Sequence, residues 1–259
     1  MRFRMAWIFG LALFSAFGSS AVRARELLVV SEAFAPYVFD DEQGQPTGFD
    51  YDVSKAVLAR LGYSMKLSFA PWKRALLMAQ QGEVDALLGI GRGDQNHRED
   101  FLAFPDEALS GTRVTLFYLN NKAFRYDGLF SLAGKTVGTR AGYAYSPDFA
   151  NAPYFRREPV ETHEQNLHKL LRGRVDFAMI DTAVGIYTAR QLGVADQIAY
   201  EPVSISGGKL YIAFSRSRGL DALARDFSKT LLAFKQTAEY QAIFARYGID
   251  PASVAPPEF

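Results

Sequence analysis

The sequence has no cysteine and little histidine, and these two absences narrow the chemistry that the chain can perform. Of its 259 residues, none is cysteine and three are histidine. Without thiols the chain forms no disulfide and offers no thiolate nucleophile or zinc–cysteine site. His163 and His168 stand five positions apart, on different faces of a predicted helix, and His97 stands alone in a polar loop. We therefore expect surface histidines, no metal site and no cofactor.

The chain also lacks the motifs of common catalytic and nucleotide-binding sites. It contains no Gly-x-Ser-x-Gly elbow and no Walker A loop. A glycine-rich segment, Gly89-Ile90-Gly91-Arg92-Gly93, does follow a predicted strand. The residues behind it, 94–100, have no apolar helical face, so we predict a loop whose glycines let a ligand or backbone approach closely. No catalytic residue is assigned, and we expect a protein that is not an enzyme.

Long apolar runs are scarce too, and the most continuous one lies at the N-terminus. Arg2 and Arg4 precede the apolar stretch 5–17, and Val22-Arg23-Ala24 offers small residues at the −3 and −1 positions of a cleavage site. A membrane anchor, the alternative, needs about 20 apolar residues, and lipid attachment would need a cysteine. We expect a signal peptide that is cleaved after Ala24 on export.

Neither sign of charge is in excess. The chain has 29 basic and 28 acidic residues, a net charge of +1. Without the three arginines of the signal peptide, 26 basic residues face the same 28 acidic ones. Binding to nucleic acid or to an anionic membrane would require a basic patch, so this balance argues against both partners.

A short sequence motif, called the repeated phrase below, occurs twice. Residues 82–88 read Gly-Glu-Val-Asp-Ala-Leu-Leu, and residues 173–179 read Gly-Arg-Val-Asp-Phe-Ala-Met. Each copy follows an apolar helical stretch, so the glycine is predicted to end a helix and the apolar run to form a buried strand. One charge follows each strand, Arg98 after the first and Asp181 after the second. Because ligands of open α/β sheets bind at the carboxyl ends of strands, the two charges suggest a clamp for a small zwitterion. Chance similarity and surface ion pairs are the alternatives.

The order of predicted elements indicates two α/β lobes. Strands and helices alternate from Leu27 to Ile90, which predicts a mainly parallel sheet. Later strands and helices form a second such unit, and two closing helices return to the first. Beyond the signal peptide of residues 1–24, we expect lobe 1 to comprise 25–111 and 208–259 and lobe 2 to comprise 112–207. Each lobe would have its own sheet, and the tail from Pro251 would be loose.

Three motifs in this order resemble the family-3 extracellular solute-binding proteins, the amino-acid-binding type of periplasmic binding protein. Gly48-Phe49-Asp50-Tyr51-Asp52 is similar to that family's Gly-Phe-Asp-x-Asp sequence. The family's ligand arginine stands six residues before a phenylalanine, as Arg98 stands before Phe104. Its second-lobe aspartate follows a glycine by eight residues, as Asp181 follows Gly173. The resemblance, which covers residues 26–248, implies a type II periplasmic-binding-protein fold with two hinge crossings.

The resemblance also implies a set of ligand-binding residues. Arg98 would hold an α-carboxylate in a bidentate fork, and Asp181 would accept from an α-ammonium group. The aromatic rings of Phe34 and Trp72 would wall the side-chain pocket, with a role in the core as the alternative. Gly91, Tyr143 and Ala144 stand where the binding loops of that family usually carry Ser or Thr hydroxyls.

The implied function is capture of a small polar ligand, an amino acid or related zwitterion, in the periplasm. The implied partner is an inner-membrane ABC permease, reached by a monomer that closes its lobes over the ligand. Two alternatives share this scaffold. One is an enzyme resembling cyclohexadienyl dehydratases, which would need a carboxylic acid in the cleft. The other is a sensor whose closed form docks on a receptor.

Overall fold

The computed structural model describes residues 24–92, 97–122, 124–141 and 145–255. The predicted signal peptide lies outside these residues, apart from Ala24, and so do Tyr143 and Ala144. In the part of the chain that is described, no helix has the length and apolar character needed to cross a membrane.

The strands are short except for two of ten residues each. In chain order they are β1 (Arg25–Ser31), β2 (Phe39–Asp40), β3 (Pro46–Thr47), β4 (Tyr63–Phe69), β5 (Ala86–Ile90), β6 (Leu102–Ala103), β7 (Ser110–Leu119), β8 (Thr136–Arg140), β9 (Arg156–Val160), β10 (Phe177–Asp181), β11 (Ile198–Tyr200) and β12 (Ser206–Ser215).

The helices alternate with these strands. They are α1 (Phe49–Arg60), α2 (Trp72–Gln80), α3 (Arg98–Phe101), α4 (Pro147–Asn151), α5 (His163–Leu171), α6 (Thr182–Gln191), α7 (Asp221–Phe234) and α8 (Ala238–Arg246). Short 3-10 turns occupy Leu129–Leu132, Ala195–Gln197, Arg216–Arg218 and Pro251–Val254.

The first half of the molecule, which comprises β1 to β6 with α1 to α3, α7 and α8, is built on three parallel strands. β1 pairs with β4 on one side and with β5 on the other, both in parallel. Leu27 and Val29 belong to the core cluster that includes residues of α1 and α7, whereas Val30 packs with Ala75 and Ala79 of α2. Helices therefore cover both faces, which explains the near-continuous apolar run of β1.

The second half, which comprises β8 to β11 with α4 to α6, repeats this arrangement. β8 pairs in parallel with β10 and with β9. Val137 and Met179 pack on one face against Phe149, while Ala178 and Ile180 belong to the other core cluster. The predicted α/β class, with a mainly parallel arrangement flanked by helices, is confirmed in both halves.

The two long strands β7 and β12 run through both halves. Ser206–Leu210 of β12 pairs with β7, and Tyr211–Phe214 of the same strand pairs with β5. β12 therefore changes its partner at the point where the chain passes from one half to the other. The two sheets expected from the sequence are joined here into one curled path, in the order β4-β1-β5-β12-β7-β10-β8-β9.

The segment after α8 is packed and not loose, as far as the structure describes it. Val254 has 1% of its surface exposed, in the same core cluster as residues of β7 and α6. Arg190 of α6 donates hydrogen bonds to the carbonyls of Tyr247 and Gly248, at the end of α8. The chain thus makes a contact between the halves in addition to β7 and β12, and the sequence analysis did not anticipate it.

Several local details of the helices become clear in the structure. α1 begins at Phe49, within the Gly-Phe-Asp-x-Asp motif, and the short helix α3 begins at Arg98, inside the loop predicted over 94–100. The Thr162 hydroxyl caps α5 by accepting from the Gln165 N–H at 3.2 Å, while the Gln165 side chain accepts from the Glu161 N–H at 3.0 Å. The expectation of surface histidines is wrong for His163, which is 7% exposed because the first turn of α5 packs inward.

Candidate functional site

A cavity of about 390 Å3 lies at the carboxyl ends of three strands. β1 ends at Ser31, β5 carries Gly89 as its penultimate residue and β8 ends at Arg140, and all three residues line the cavity. Phe34 and Trp72 form part of the wall. This edge of an α/β sheet is where ligands bind, so the cavity is the candidate site.

Phe34 is held in the wall by its backbone and by a neighbouring ring. Its N–H donates to the Val38 carbonyl at 2.7 Å, and its ring stacks on that of Tyr37 with centroids 4.8 Å apart and planes 6° apart. The ring is half-buried and also borders an adjacent cavity of about 280 Å3. Phe34 is therefore part of both the cavity wall and the edge of the core.

Trp72 and Arg98, two of the predicted site residues, lie together, although Arg98 is not among the residues that line the cavity. The Arg98 guanidinium carbon is 5.9 Å from the centre of the Trp72 ring, within cation–π range. Its Nη1 donates to the Gly91 carbonyl at 2.9 Å. Its Nε is buried and has no hydrogen-bond partner in the described part of the chain. The guanidinium is thus held in place, and its Nε–H can still donate a hydrogen bond. Arg98 forms no ion pair with any of the described residues.

Asp181 is a buried helix cap, and the alternative of a surface ion pair is wrong for it. Its side chain is the N-cap of α6, where Oδ1 accepts from the Val184 N–H at 3.1 Å, while Oδ2 accepts from the Arg113 N–H at 2.9 Å. Burial raises the pKa of this carboxyl to about 6, although these hydrogen bonds act to lower it. Asp181 is not among the residues that line the cavity.

Tyr37 connects Asp181 to the cavity. Its ring lines the cavity, and its hydroxyl lies 2.9 Å from Oδ1 of Asp181 and 3.1 Å from the Gly111 carbonyl. Burial, followed by the charge of Asp181, raises the pKa of Tyr37 well above its usual value, so the hydroxyl keeps its proton. One proton serves two acceptors here, and a competing donor at Asp181 would leave Tyr37 bonded to Gly111 alone.

The residues predicted in the binding loops differ in where the structure places them. Gly91 positions Arg98 through its carbonyl, while Gly89, at φ 78, is the glycine that lines the cavity. Tyr143 and Ala144 lie outside the described residues.

Arg140 is the site residue that the sequence analysis missed. It lines the candidate cavity and the adjacent one, where Thr162, Glu164 and Tyr187 also border the space. Burial and then the positive charge of Arg140 lower the pKa of His163 to about 4, so this histidine is neutral. The signal was available, since Arg140 ends a strand and charges at strand ends had pointed to Arg98 and Asp181.

The described surface outside this cavity includes a larger groove but no metal-binding cluster. The described residues contain no group of His, Asp and Glu side chains that could hold a metal ion. A larger groove of about 760 Å3 lies between the β2–β3 hairpin, α6 and the end of α8, away from the strand ends above.

Comparison with known proteins gives a consistent result. The chain is 24% identical over 223 residues to a probable amino-acid ABC transporter-binding protein of Haemophilus influenzae, covering 85% of this chain and 84% of that one. It is 21% identical to an arginine-binding periplasmic protein of Mannheimia haemolytica, over 87% and 92% of the two chains.

The fold is similar to that of solved structures. One is the L-cystine solute receptor of Neisseria gonorrhoeae in its unliganded open conformation, with a TM-score of 0.74, 18% identity and coverage of 89% and 95%. The family model of the bacterial extracellular solute-binding proteins, family 3, matches residues 27–250. The resemblance drawn from the sequence motifs is therefore confirmed, and the chain belongs to the bacterial extracellular solute-binding proteins, family 3.

Proposed function

We propose that the cavity binds a free amino acid, and that the protein delivers it to an ABC-type permease. The observation that carries this proposal is Arg98, fixed beside the Trp72 ring with a buried Nε that has no hydrogen-bond partner among the described residues. A guanidinium with free donors binds a carboxylate through two charge-assisted hydrogen bonds. The α-carboxylate is the group that all free amino acids share.

Asp181 is proposed as the acceptor for the α-ammonium group. In the complex the ammonium would replace the Tyr37 hydroxyl as donor to Oδ1, and the Tyr37 hydroxyl would donate to the Gly111 carbonyl alone. The rings of Phe34 and Trp72 would hold the aliphatic part of the ligand between them. Gly91 would act through Arg98, and Tyr143 and Ala144 are kept as candidate loop contacts.

Ligand capture would proceed by closure of the two halves about β7 and β12. We propose lobe 1 as residues 25–111 and 208–259 and lobe 2 as residues 112–207, with the packed segment 249–255 as a third link. The proposed setting is the periplasm, after cleavage of the signal peptide, with the protein acting as a monomer and binding no nucleic acid.

We propose that the protein binds its ligand without converting it chemically. Glu32 is the one carboxylic acid on the described wall of the cavity, so it is the group that a dehydratase would use as its acid. Incubation with prephenate tests this alternative, and release of a dehydrated product would overturn the assignment as a binding protein. Copurification with a permease rather than a receptor separates transport from sensing.

The central experiment is ligand binding to protein that lacks residues 1–24. In that protein Trp72 is the only tryptophan, because the other is Trp7, so fluorescence reports on the cavity wall. A thermal-shift screen over amino acids identifies ligands, since one at 100 times its Kd adds about 2.7 kcal/mol to stability. Titration calorimetry then gives the affinities.

Arg98→Ala should weaken binding strongly. Loss of one partner of a buried charge pair costs about 2–5 kcal/mol, which is about 30-fold to a few thousand-fold in Kd. Arg92→Ala is the matched control, because Arg92 is exposed and paired with Glu99. A ligand that binds Arg98→Ala within about threefold of wild type would show that Arg98 does not hold the carboxylate.

Asp181→Ala should weaken amino acids but not their desamino analogues. The comparison of one amino acid with its desamino analogue on both variants separates the two roles, because the analogue keeps the carboxylate and lacks the ammonium. Equal losses for both compounds on Asp181→Ala would mean that Asp181 acts only as the cap of α6.

A further inference from the structure

Tyr37 lies between Asp181 and the candidate cavity. Its ring lines the cavity, whereas Asp181 does not, and its hydroxyl donates to Oδ1 of Asp181 at 2.9 Å. Oδ1 also accepts from the Val184 N–H at 3.1 Å, so both of its lone pairs are taken. Oδ2 accepts from the Arg113 N–H at 2.9 Å. An ammonium group that enters the cavity therefore meets the Tyr37 hydroxyl at the oxygen that it would bind.

The ring of Tyr37 is held on two sides. It is 1% exposed, stacks on the Phe34 ring with centroids 4.8 Å apart, and packs against the Phe49 ring with centroids 4.6 Å apart. The direction of the O–H bond can still change, because the Gly111 carbonyl lies 3.1 Å from the same hydroxyl. The hydroxyl can therefore release Asp181 by rotating its hydrogen alone, while the ring stays in place.

The contact between Tyr37 and Asp181 joins the two halves close to the proposed hinge. Tyr37 belongs to the first half and Asp181 to the second. Both are bonded to the first residues of β7, Tyr37 to the Gly111 carbonyl and Asp181 to the Arg113 N–H. Rotation about β7 and β12 moves atoms near the axis by little. The hydroxyl therefore competes with an ammonium group both before and after the halves close.

This competition reduces what an ammonium group gains from Asp181. A hydrogen bond to a charged acceptor is about twice as strong as one between neutral groups. When an ammonium group displaces it, the Tyr37 hydroxyl exchanges a carboxylate for the neutral carbonyl of Gly111. A ligand without an ammonium group leaves the bond to Asp181 in place and loses nothing. Tyr37 therefore narrows the difference in affinity between the two kinds of ligand.

We propose that Tyr37 is a specificity-determining residue of this site. Its hydroxyl holds the ammonium position on Asp181 until an amino acid displaces it, which lowers the preference for amino acids over ligands that lack an ammonium group. This inference rests on the proposed function, because it takes Asp181 as the acceptor for the ammonium group. The same hydroxyl is one of the donors that act to lower the pKa of the buried Asp181 carboxyl.

The test is Tyr37→Phe, which keeps the ring and removes the hydroxyl. Calorimetry at pH 8, above the pKa of Asp181 of about 6, compares amino acids with their desamino analogues. The pairs are L-glutamate with glutarate, L-leucine with 4-methylpentanoate, L-phenylalanine with 3-phenylpropionate and L-arginine with 5-guanidinopentanoate. Any other amino acid from the thermal-shift screen joins them with its own analogue.

Each amino acid that binds wild-type protein should bind Tyr37→Phe about tenfold more tightly, which corresponds to about 1.4 kcal/mol. The affinity of its analogue should change by less than about threefold, because the analogue does not displace the hydroxyl. A purely structural loss would weaken both compounds of a pair. Tighter binding of the amino acid alone is therefore specific to the removal of a competitor.

A control variant and a second measurement keep the test decisive. In Tyr247→Phe, the lost hydroxyl also donates to a carboxylate, that of Asp52, but neither residue lines the candidate cavity. This variant should keep both affinities within about threefold of wild type. If Tyr37→Phe fails to fold by circular dichroism, the carbon-13 shift of Tyr37 Cζ in wild-type protein decides, because it follows the acceptor of the hydroxyl. Saturation with an amino acid should change this shift, and no change, or an equal change with the analogue, overturns the proposal.

The outcomes separate this proposal from the one on which it rests. If no amino acid binds wild-type protein, the proposed function fails. If Asp181→Ala weakens amino acids but Tyr37→Phe does not tighten them, the ammonium group binds Asp181 without displacing the hydroxyl, and only the role of Tyr37 fails. If Tyr37→Phe weakens an amino acid and its analogue by the same factor, the hydroxyl acts only in joining the halves, and the proposal is overturned.

Discussion

In the two halves of the molecule, the repeated phrase ends a helix with the same hydrogen bonds. Gly82, at φ 73, and Gly173, at φ 64, both take the left-handed conformation that follows a helix. The residue after each glycine donates its N–H to the carbonyl five positions earlier, at 2.9 Å in both copies. This pair of features is a Schellman cap, and it turns the chain from helix to strand.

The aspartate of the phrase has the same role in each half. Asp85 accepts from the Leu28 N–H at 2.8 Å, and Asp176 accepts from the Thr136 N–H at 2.9 Å. Each aspartate N–H also donates back to the carbonyl of the same residue, at 2.8 Å in both cases. In each half the aspartate of the phrase therefore fixes the neighbouring parallel strand by two hydrogen bonds. The repetition of the phrase reflects this shared structural role rather than ligand binding.

The two copies differ in what surrounds them. Asp85 is 2% exposed and forms ion pairs with Arg218 and Arg25, whereas Asp176 is half-buried. The first strand leads into a glycine loop and the second directly into the cap of α6. A local pattern thus determines the local hydrogen bonds, whereas contacts from distant segments determine how much stability depends on them.

The largest expected contrast concerns two buried acids that lie against β7, Asp50 from the first half and Asp181 from the second. Asp50 accepts from the Ser110 hydroxyl at 3.0 Å through Oδ2, while its Oδ1 has no partner among the described residues. Burial raises the pKa of Asp50 to about 7, against smaller opposing effects of Ser110 and Lys235, and that of Asp181 to about 6. Folded protein therefore holds these protons more tightly than the unfolded chain.

The free energy of unfolding should therefore fall as the pH rises. The fall due to Asp50 should extend from about pH 4 to about pH 7, and the fall due to Asp181 from about pH 4 to about pH 6. At about 1.4 kcal/mol per pKa unit, the contribution of Asp50 is on the order of 4 kcal/mol. Asp50→Asn does not titrate, so urea denaturation should show a fall between pH 6 and 7 in wild type that this variant lacks. A wild-type stability that does not change across this interval would contradict the assignment.

Asp181→Asn provides the contrasting case. Both oxygens of Asp181 accept hydrogen bonds from backbone N–H groups. The NH2 group of an asparagine would face one of these N–H donors, so the substitution should destabilise the protein at every pH. Its urea midpoint should therefore lie below that of wild type at pH 8, where Asp50→Asn should lie above. The same ranking for both variants would show that the two acids are equivalent.

The next contrast is between the two aspartates of the phrase. Asp85→Ala should cost about 3 kcal/mol and Asp176→Ala about 1.5 kcal/mol, because charge-assisted hydrogen bonds contribute about 1.5–3 kcal/mol and only Asp85 is fully buried. Chemical denaturation of both variants measures the difference. Glu83→Ala, at an exposed position of the first copy, is the control and should change stability by less than about 0.5 kcal/mol. Equal losses for the two aspartates would remove the asymmetry inferred above.

A smaller difference is expected between the two glycines. Alanine at either position pays a left-handed strain of about 1 kcal/mol. At Gly82 the new Cβ would also lie 2.5 Å from the Ser217 hydroxyl oxygen, whereas nothing lies within 4 Å of such an atom at Gly173. We expect losses of about 2 kcal/mol for Gly82→Ala and about 1 kcal/mol for Gly173→Ala. In a Ser217→Ala background the two losses should become equal, and a persistent gap would place the cause elsewhere.

The smallest expected effect concerns the starts of the helices that precede the phrase. Thr162 caps α5 through its hydroxyl, while α2 follows Pro71 and has no side-chain cap. Thr162→Ala should cost about 1 kcal/mol, and Thr162→Ser should retain most of the stability. Thermal melts of the two variants measure this, and equal melting temperatures would show that the cap does not contribute.

Much of the fold was predictable because its signals are local. Helix periodicity, the glycines after helices and the Thr162 cap depend on residues within a few positions of each other. The candidate roles of Arg98 and Trp72 came from the resemblance to the family's motifs. By contrast, the hydrogen bond from Tyr37 to Asp181 and the place of Arg140 on the cavity wall depend on how the two halves face each other. Neighbouring residues carry no such information.

The packed segment after α8 has a consequence for measuring motion. Glu26 lies in β1 of the first half, while Ala255 follows a turn that packs on β7 and α6. Both residues are exposed, and the chain has no cysteine of its own. Cysteines placed at these two positions would carry a pair of dyes attached nowhere else. Although Ala255 follows lobe 1 in chain order, the turn before it packs on α6 of the second half, so the distance between the dyes would follow the rotation of one half against the other in single molecules, with no label near the cavity.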